Sequence, residues 1–156
     1  MILRPAREKD SWLLWTWRND PVTRVMFGAP DEVPWEEHHE WYGRSLANAN
    51  RWILIGEEAN HPVGVLRFDR IGNDVAKVSV TVTPENRGRG IGREILALGS
   101  DYAAHRLGFV RLEANIKAEN VASLALFEGA GFVYAGSESG LGRYVLALPV
   151  MPRRTS

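Results

Sequence analysis

Apolar and polar positions alternate most clearly between Val75 and Thr83. Val78, Val80 and Val82 fall on one side of an extended backbone; Lys77, Ser79, Thr81 and Thr83 fall on the other. A strand with one buried and one polar face has this pattern. Pro84 stops it, because proline has no N–H to give a neighbouring strand. Shorter apolar runs predict strands at Ile2–Arg4, closed by Pro5, at Trp52–Ile55 and at Val63–Phe68. The last two are joined by a turn around Asn60-His61-Pro62, and Gly72-Asn73-Asp74 makes the next hairpin turn. Arg111–Ile116 is a further strand, and Val133–Ala135 with Tyr144–Leu148 forms a final hairpin.

Helical spacing fills the gaps between these strands. Asp10 is expected to cap a helix running through Asn19, with Trp12, Leu13, Trp15 and Trp17 on its apolar side; Asn19-Asp20-Pro21 ends it. Residues 21–33, which hold Gly28 and Pro30, read as loop. Pro34 at a first helical position opens a second helix that reaches about Ala47. Ile91, Ile95, Leu98 and Tyr102 recur at helical spacing and predict a helix ending near Leu107-Gly108. Asn120 opens a short helix closed by Gly129 and Gly131. The order is strand, two helices, three strands, helix, strand, helix, two strands. It predicts a mixed α/β domain of seven strands and four helices over residues 1–150, with 151–156 as a C-terminal tail.

Composition narrows the function classes. At 156 residues and 45% apolar, the chain can bury one core without metal or disulfide staples. The absence of cysteine removes disulfides, thiolate nucleophiles and zinc–thiolate sites together, and it suits a reducing cytoplasm, the expected location. The opening Met-Ile-Leu-Arg-Pro reaches charge at once, unlike a signal peptide. No apolar run approaches the roughly 20 residues of a membrane span, so no membrane partner is expected. Nineteen basic residues balance nineteen acidic ones, which leaves no general field for nucleic acid. A local basic patch at Arg87, Arg89 and Arg93 suits one compact anionic ligand. Trp12, Trp15, Trp17, Trp35 and Trp41 crowd the N-terminal part, and core or lid packing is the role expected of most of them.

The strongest chemical feature is the strand, loop and helix from Val78 onward. Gly88, Gly90 and Gly92 let backbone N–H groups converge. The next helix starts at the same place and adds its unsatisfied amides and its positive dipole end, an arrangement that binds phosphate. The spacing is not Gly-x-Gly-x-x-Gly, and no Gly-Lys-Ser/Thr is present, so dinucleotide-fold and Walker loops are excluded. The loop does match Arg/Gln-x-x-Gly-x-Gly/Ala, through Arg87, Gly90 and Gly92. A second block follows: Leu112-Glu113-Ala114-Asn115, then Asn120, Ser123, Phe127 and Gly131-Phe132. Together these resemble the cofactor motifs of the GNAT acetyltransferases, in the order that family carries them.

The resemblance implies a mixed, mostly antiparallel seven-stranded sheet flanked by four helices, with acetyl-CoA as cosubstrate and no metal. It places Val82, Arg87, Gly88, Arg89, Gly90, Ile91 and Gly92 at the cofactor's pyrophosphate and thioester, and Asn115, Asn120 and Phe127 along its pantetheine arm. Asn120 also reads as a helix cap, with Ser123 at the third helical position. Acetyl transfer needs a deprotonated amine, a donor for the developing oxyanion and a proton for the leaving thiolate. A backbone N–H near Val82 is the implied oxyanion donor. The family's frequent tyrosine acid aligns with Phe127, which carries no proton, and its frequent glutamate aligns with Lys77. The thiolate then takes its proton from water, from Ser79 or from a tyrosine, or needs none, since a thiol with pKa about 8.5 leaves readily. For the base, His38 is a candidate, and Glu113 or Asn115 to position a water are others. His38 beside Glu36 and Glu37 also reads as a solvated ion-pair partner.

Trp17-Arg18-Asn19-Asp20-Pro21, Arg24, and Pro34 through His38 and Trp41 resemble a pattern in the GNAT branch of amino-sugar acetyltransferases, including nucleotide-sugar enzymes of the pseudaminic acid pathway. That implies an acceptor pocket lined by Arg18, Arg24 and His38. Arg18 also reads as a partner for its helix C-terminus, and Arg24 as merely exposed. The expected partners are a small-molecule amine, a nucleotide sugar in the sharpest form, and a second copy of the chain as a homodimer. Two alternatives stay open: acetylation of a protein N-terminus, as in the ribosomal-protein branch, and a CoA-binding module without catalysis.

Overall fold

The structure is a computed structural model that describes residues 1–26 and 31–149. Gly28, Pro30 and the tail at 151–156 lie outside the described residues. Seven strands form one sheet: β1 (Ile2–Pro5), β2 (Arg51–Glu58), β3 (His61–Gly72), β4 (Val75–Val82), β5 (Arg111–Ile116), β6 (Val133–Glu138) and β7 (Leu141–Ala147), in the spatial order β1-β2-β3-β4-β5-β7-β6. Every neighbouring pair is antiparallel except β4 and β5. The mixed sheet expected from the sequence is therefore present; β5 has the expected bounds, β4 ends one residue early, and the other five strands are longer than expected.

The described residues hold five α-helices, one more than expected: α1 (Ser11–Arg18), α2 (Pro21–Met26), α3 (Trp35–Ala47), α4 (Ile91–His105) and α5 (Val121–Gly129). The addition is α2, in a stretch expected to be loop. Asp20 accepts from the Thr23 N–H at 3.0 Å and the Thr23 hydroxyl at 3.2 Å, and Pro21 stands at the first helical position. Asn19-Asp20-Pro21 thus stops one helix and starts another.

The sheet buries a core on each face. Leu54, Leu66, Phe68 and Leu112 pack with Ile91, Ile95 and Leu96 of α4, while Ile53 and Ile55 pack with Leu14, Trp17 and Tyr42 of α1 and α3. Helix α4 lies unusually close to the sheet. A Cβ at Gly64 would stand 2.5 Å from Ile95 Cδ1, and one at Gly99 would stand 2.4 Å from Leu66 Cδ1. This changes the expected face of α4: Gly99, not Leu98, sits at the contact, and Leu98 is exposed. In α1 the buried side is Leu14 and Trp17, while Trp12 is 59% exposed. Asp10 does not cap α1 with its side chain; its carboxylate accepts from the Arg7 N–H at 2.7 Å and from Arg4 at 2.8 and 2.9 Å.

Candidate functional site

The two parallel strands separate soon after they pair. β4 and β5 are in register only from Val75–Lys77 to Arg111–Glu113, although β4 continues to Val82 and β5 to Ile116. Between them opens a cleft of about 140 Å³, lined by Ser79, Val80, Asn115, Asn120 and Phe127 among others. The Thr83 N–H donates to Val63 O on β3 at 3.0 Å. Antiparallel alternation therefore turns the Val82 N–H to the opposite edge, where β5 has diverged. Asn115 Oδ1 is buried with no partner, a state that costs about 1–3 kcal/mol unless a ligand N–H satisfies it. Asn120 Oδ1 accepts from the Ser123 N–H at 3.1 Å, as the capping alternative requires. Phe127 is buried edge-to-face on Phe132, with centroids 5.0 Å apart.

The glycine loop lies at the end of β4. Gly88 and Gly90 have φ of 78° and 77°, and a Cβ on either would meet nothing within 4 Å. Their conformation, not their surroundings, demands glycine, and the space beside them is open. Gly90 begins α4 without a side-chain cap, so the first amides of that 15-residue helix stay available with its positive end. These features fit an extended ligand with a diphosphate at the loop and an amide further along the cleft. The arginine side chains of the loop are turned to protein partners. Arg87 donates to Thr23 Oγ1 at 2.7 Å and to Asp20 at 3.1 Å. Burial alone would raise the Asp20 carboxyl, but the Thr23 amide and Arg87 hold it below its ordinary range. Arg89 donates to Asn86 at 2.6 Å and Glu58 at 3.2 Å.

A second cavity, of about 450 Å³, lies between α1–α3 and the middle of the sheet. Its lining includes Arg18, Arg24, His38, Trp41, Arg51, Arg67, Ser79 and Thr81. Among the described residues, Ser79 alone lines both cavities. Three guanidinium groups gather over Trp41: Arg18 at 4.9 Å from the ring centroid, Arg51 at 5.6 Å and Arg67 at 5.8 Å. Burial lowers the Arg18 pKa from its usual value; Glu37 opposes the shift and Arg67 adds to it. Arg24 donates through Nε to Asn19 O at 3.2 Å.

His38 is 1% exposed, not the solvated ion-pair partner of the alternative reading; it is His39 that faces water. Its Nε2 lies 3.0 Å from Ser11 O, so that nitrogen carries the proton and donates. Nδ1 is left as a buried acceptor without a partner. Burial pushes the imidazole pKa down, so the ring is held neutral. Glu113 is buried and ion-paired with Arg143, and Lys77 is tied to Glu138 at 3.2 Å. Sequence reasoning left out Arg51 and Arg67. Arg67 shares a strand face with Val65, and a charge in that half-buried row was the available signal.

The profile of the acetyltransferase (GNAT) domain family matches residues 1–133. An uncharacterized protein of Methanocaldococcus jannaschii is 29% identical over 136 residues, 85% of this chain and 28% of that protein, so the chain spans under a third of that relative's length. Spermidine N-acetyltransferase from Vibrio cholerae, in its complex with CoA and spermine, superposes with a TM-score of 0.84 at 19% identity over 94% of both chains. Ribosomal-protein-alanine N-acetyltransferase from Brucella melitensis does so with a TM-score of 0.76 at 27% identity, over 93% of this chain and 97% of that one. Among the described residues, no cluster of His, Asp or Glu is placed to hold a metal ion, and no helix is long and apolar enough to cross a membrane.

Proposed function

Because the chain belongs to the GNAT acetyltransferase family, we propose that it transfers an acetyl group from acetyl-CoA to a primary amine bound beside Ser79. The observation that carries this reading is the junction: Ser79 lines both the β4–β5 cleft and the larger cavity. Acetyl-CoA, when bound, supplies the thioester whose carbonyl carbon the amine attacks. The amides of residues 87–92 take the diphosphate. Asn115 Oδ1 accepts an N–H from the pantetheine arm, and Asn120 and Phe127 wall that arm. The Val82 N–H, on the edge of β4 away from β3, holds the developing oxyanion. With Phe127 aprotic and Lys77 held by Glu138, the Ser79 hydroxyl is the group at the junction that can relay the proton shed by the attacking amine to the leaving sulfur, regaining its own in the same step. His38 offers its bare Nδ1 to the acceptor; its burial favours orienting the amine over exchanging protons with water.

In its sharper form, the proposal makes the acceptor an amino sugar, nucleotide-linked, with Arg18 and Arg24 on its diphosphate and His38 on the sugar. The support is charge. Arg18, Arg24, Arg51 and Arg67 line the cavity against Asp31, a wall that attracts phosphate and repels a polyamine. Acetylation of a protein N-terminus is the second reading, favoured by the 27% identity to the Brucella melitensis enzyme. One assay separates these readings: acetyl-CoA is offered with nucleotide-linked 4-amino sugars, peptides with free N-termini, and spermidine, while thiol release is followed. Sugar turnover supports the proposal. Turnover of peptides alone removes the sugar assignment, and turnover of none, with CoA still bound, leaves a CoA-binding module.

A further inference from the structure

The arginines over Trp41 exceed what the fold needs. Asp69 stands directly opposite Arg51 across β2 and β3 and pairs with it at 2.5 Å, which already satisfies one carboxylate with one guanidinium. Arg67 Nε lies 2.9 Å from the other oxygen of Asp69 but off the hydrogen-bond direction, and is buried without an aligned partner. Arg18 then enters from α1 to the same ring. Asp69 offsets part of the charge of Arg51 and Arg67, and Glu37 part of that of Arg18, so three guanidiniums at one indole leave a positive excess that a further anion would offset. Burial chiefly lowers the Arg18 pKa, with Arg67 adding to it.

We infer that the acceptor carries an oxyanion, carboxylate or phosphate, a few bonds from its amine, and that Arg67 binds it at the Trp41 ring, which Arg18 also approaches. The inference rests on the acetyl-transfer reading but not on the sugar, and assigns Arg67 a specificity role. The closeness to the amine follows from register. Arg67 and Ser79 are direct cross-strand partners, with Cβ atoms roughly 5 Å apart on one face. The amine must reach Ser79 to meet the cleft, so a group on the Arg67 guanidinium lies near it. A guanidinium fork suits either oxyanion. A nucleotide's diphosphate on Arg24 would be a separate anion.

The test uses matched amines: amino acids against their amides, an amino sugar against its uronic acid and its phosphate ester. For each, kcat/KM is measured by thiol release with the wild type, Arg67→Gln and Arg67→Lys. Binding of the same compounds in the presence of CoA is measured by calorimetry, and the CoA Kd of each variant verifies that it is folded. The expected result is an anionic preference on the order of tenfold, the size of one charge-assisted hydrogen bond. Arg67→Gln removes most of that preference through KM, Arg67→Lys keeps part of it, and the CoA Kd stays constant. Comparing the carboxylate and phosphate arms identifies which oxyanion fits. Equal use of neutral and anionic amines by the wild type, or a preference that survives Arg67→Gln, overturns the inference while transfer stands. If no amine turns over but the anionic compounds bind in an Arg67-dependent way, the anion subsite stands and the transfer reading falls.

Discussion

Replacing Gly90 by valine separates what the loop's backbone needs from what its ligand needs. Gly90 has φ of 77°, and a Cβ there meets no heavy atom within 4 Å. The variant therefore suffers conformational strain but no clash: about 1–2 kcal/mol for an L-residue in the left-handed region. A domain with a typical stability of roughly 5–15 kcal/mol survives this. The new side chain fills the space through which a phosphate would approach the amides of α4. Losing one charge-assisted bond there costs about 1.5–3 kcal/mol, roughly ten- to hundredfold in Kd. Gly140, in the turn between β6 and β7, is the control, with φ of 81° and an equally open Cβ position. Gly140→Val should lower the melting temperature as Gly90→Val does, yet leave acetyl-CoA affinity alone. Calorimetric titration and thermal melts of both variants give the answer. A folded Gly90→Val protein with wild-type affinity would refute the phosphate-loop assignment.

Phe127→Leu should lower activity modestly and destabilise by about 1 kcal/mol through the lost ring contact with Phe132, without changing the shape of the pH–rate profile; a missing ionisation would show that the side chain is more than packing. The His38 pKa lies below the usual 6.5, so the unfolded chain takes up that proton first as pH falls. His38 therefore contributes stability that is present above about pH 6.5 and lost on acidification through its folded pKa. His38→Gln should flatten the thermal midpoint between pH 7 and 5, and an unchanged slope would contradict the buried neutral ring. Gly64→Ala sets a Cβ 2.5 Å from Ile95 Cδ1 and 2.8 Å from Thr81 O, which should cost about 1–3 kcal/mol by denaturant titration. Adding Ile95→Val should recover only part of this, because the carbonyl remains; full recovery would mean that the side chain alone set the distance.

Some of this protein was legible residue by residue because its causes are local. The alternation over Val75–Thr83, the proline stops and the turn residues act within a few positions, and they marked all seven strands. The loop motif was equally local: the left-handed glycines and the helix start that follows them are neighbours in the chain. Asn120 as a cap, three residues before Ser123, belongs with them. The errors arose where a short signal had two meanings or where size misled. Asn19-Asp20-Pro21 was legible as a helix stop, yet the same aspartate caps α2. Leu98 looked like core because it is large, whereas α4 touches β3 at Gly99, where only the lack of a side chain permits the approach.

The chemistry of the larger cavity depended on long-range packing. Arg18, Trp41, Arg51 and Arg67 come from α1, α3, β2 and β3, and no spacing along the chain announces that their side chains meet at one indole. Arg87 looked like a phosphate ligand; whether it turns to phosphate or to Asp20, 67 residues away, depends on where α2 lies against the loop. His38 read as a titrating base or as a solvated ion-pair partner of the glutamates beside it; only the packing of α1, which brings the Ser11 carbonyl to its Nε2, buries it. Ser79 differs from Thr81 on the same polar row only because β5 diverges beside it and leaves that position bordering both cavities. Local sequence sets which groups each strand and helix can present; which of them face one another is decided by how the two layers of helices close over the sheet.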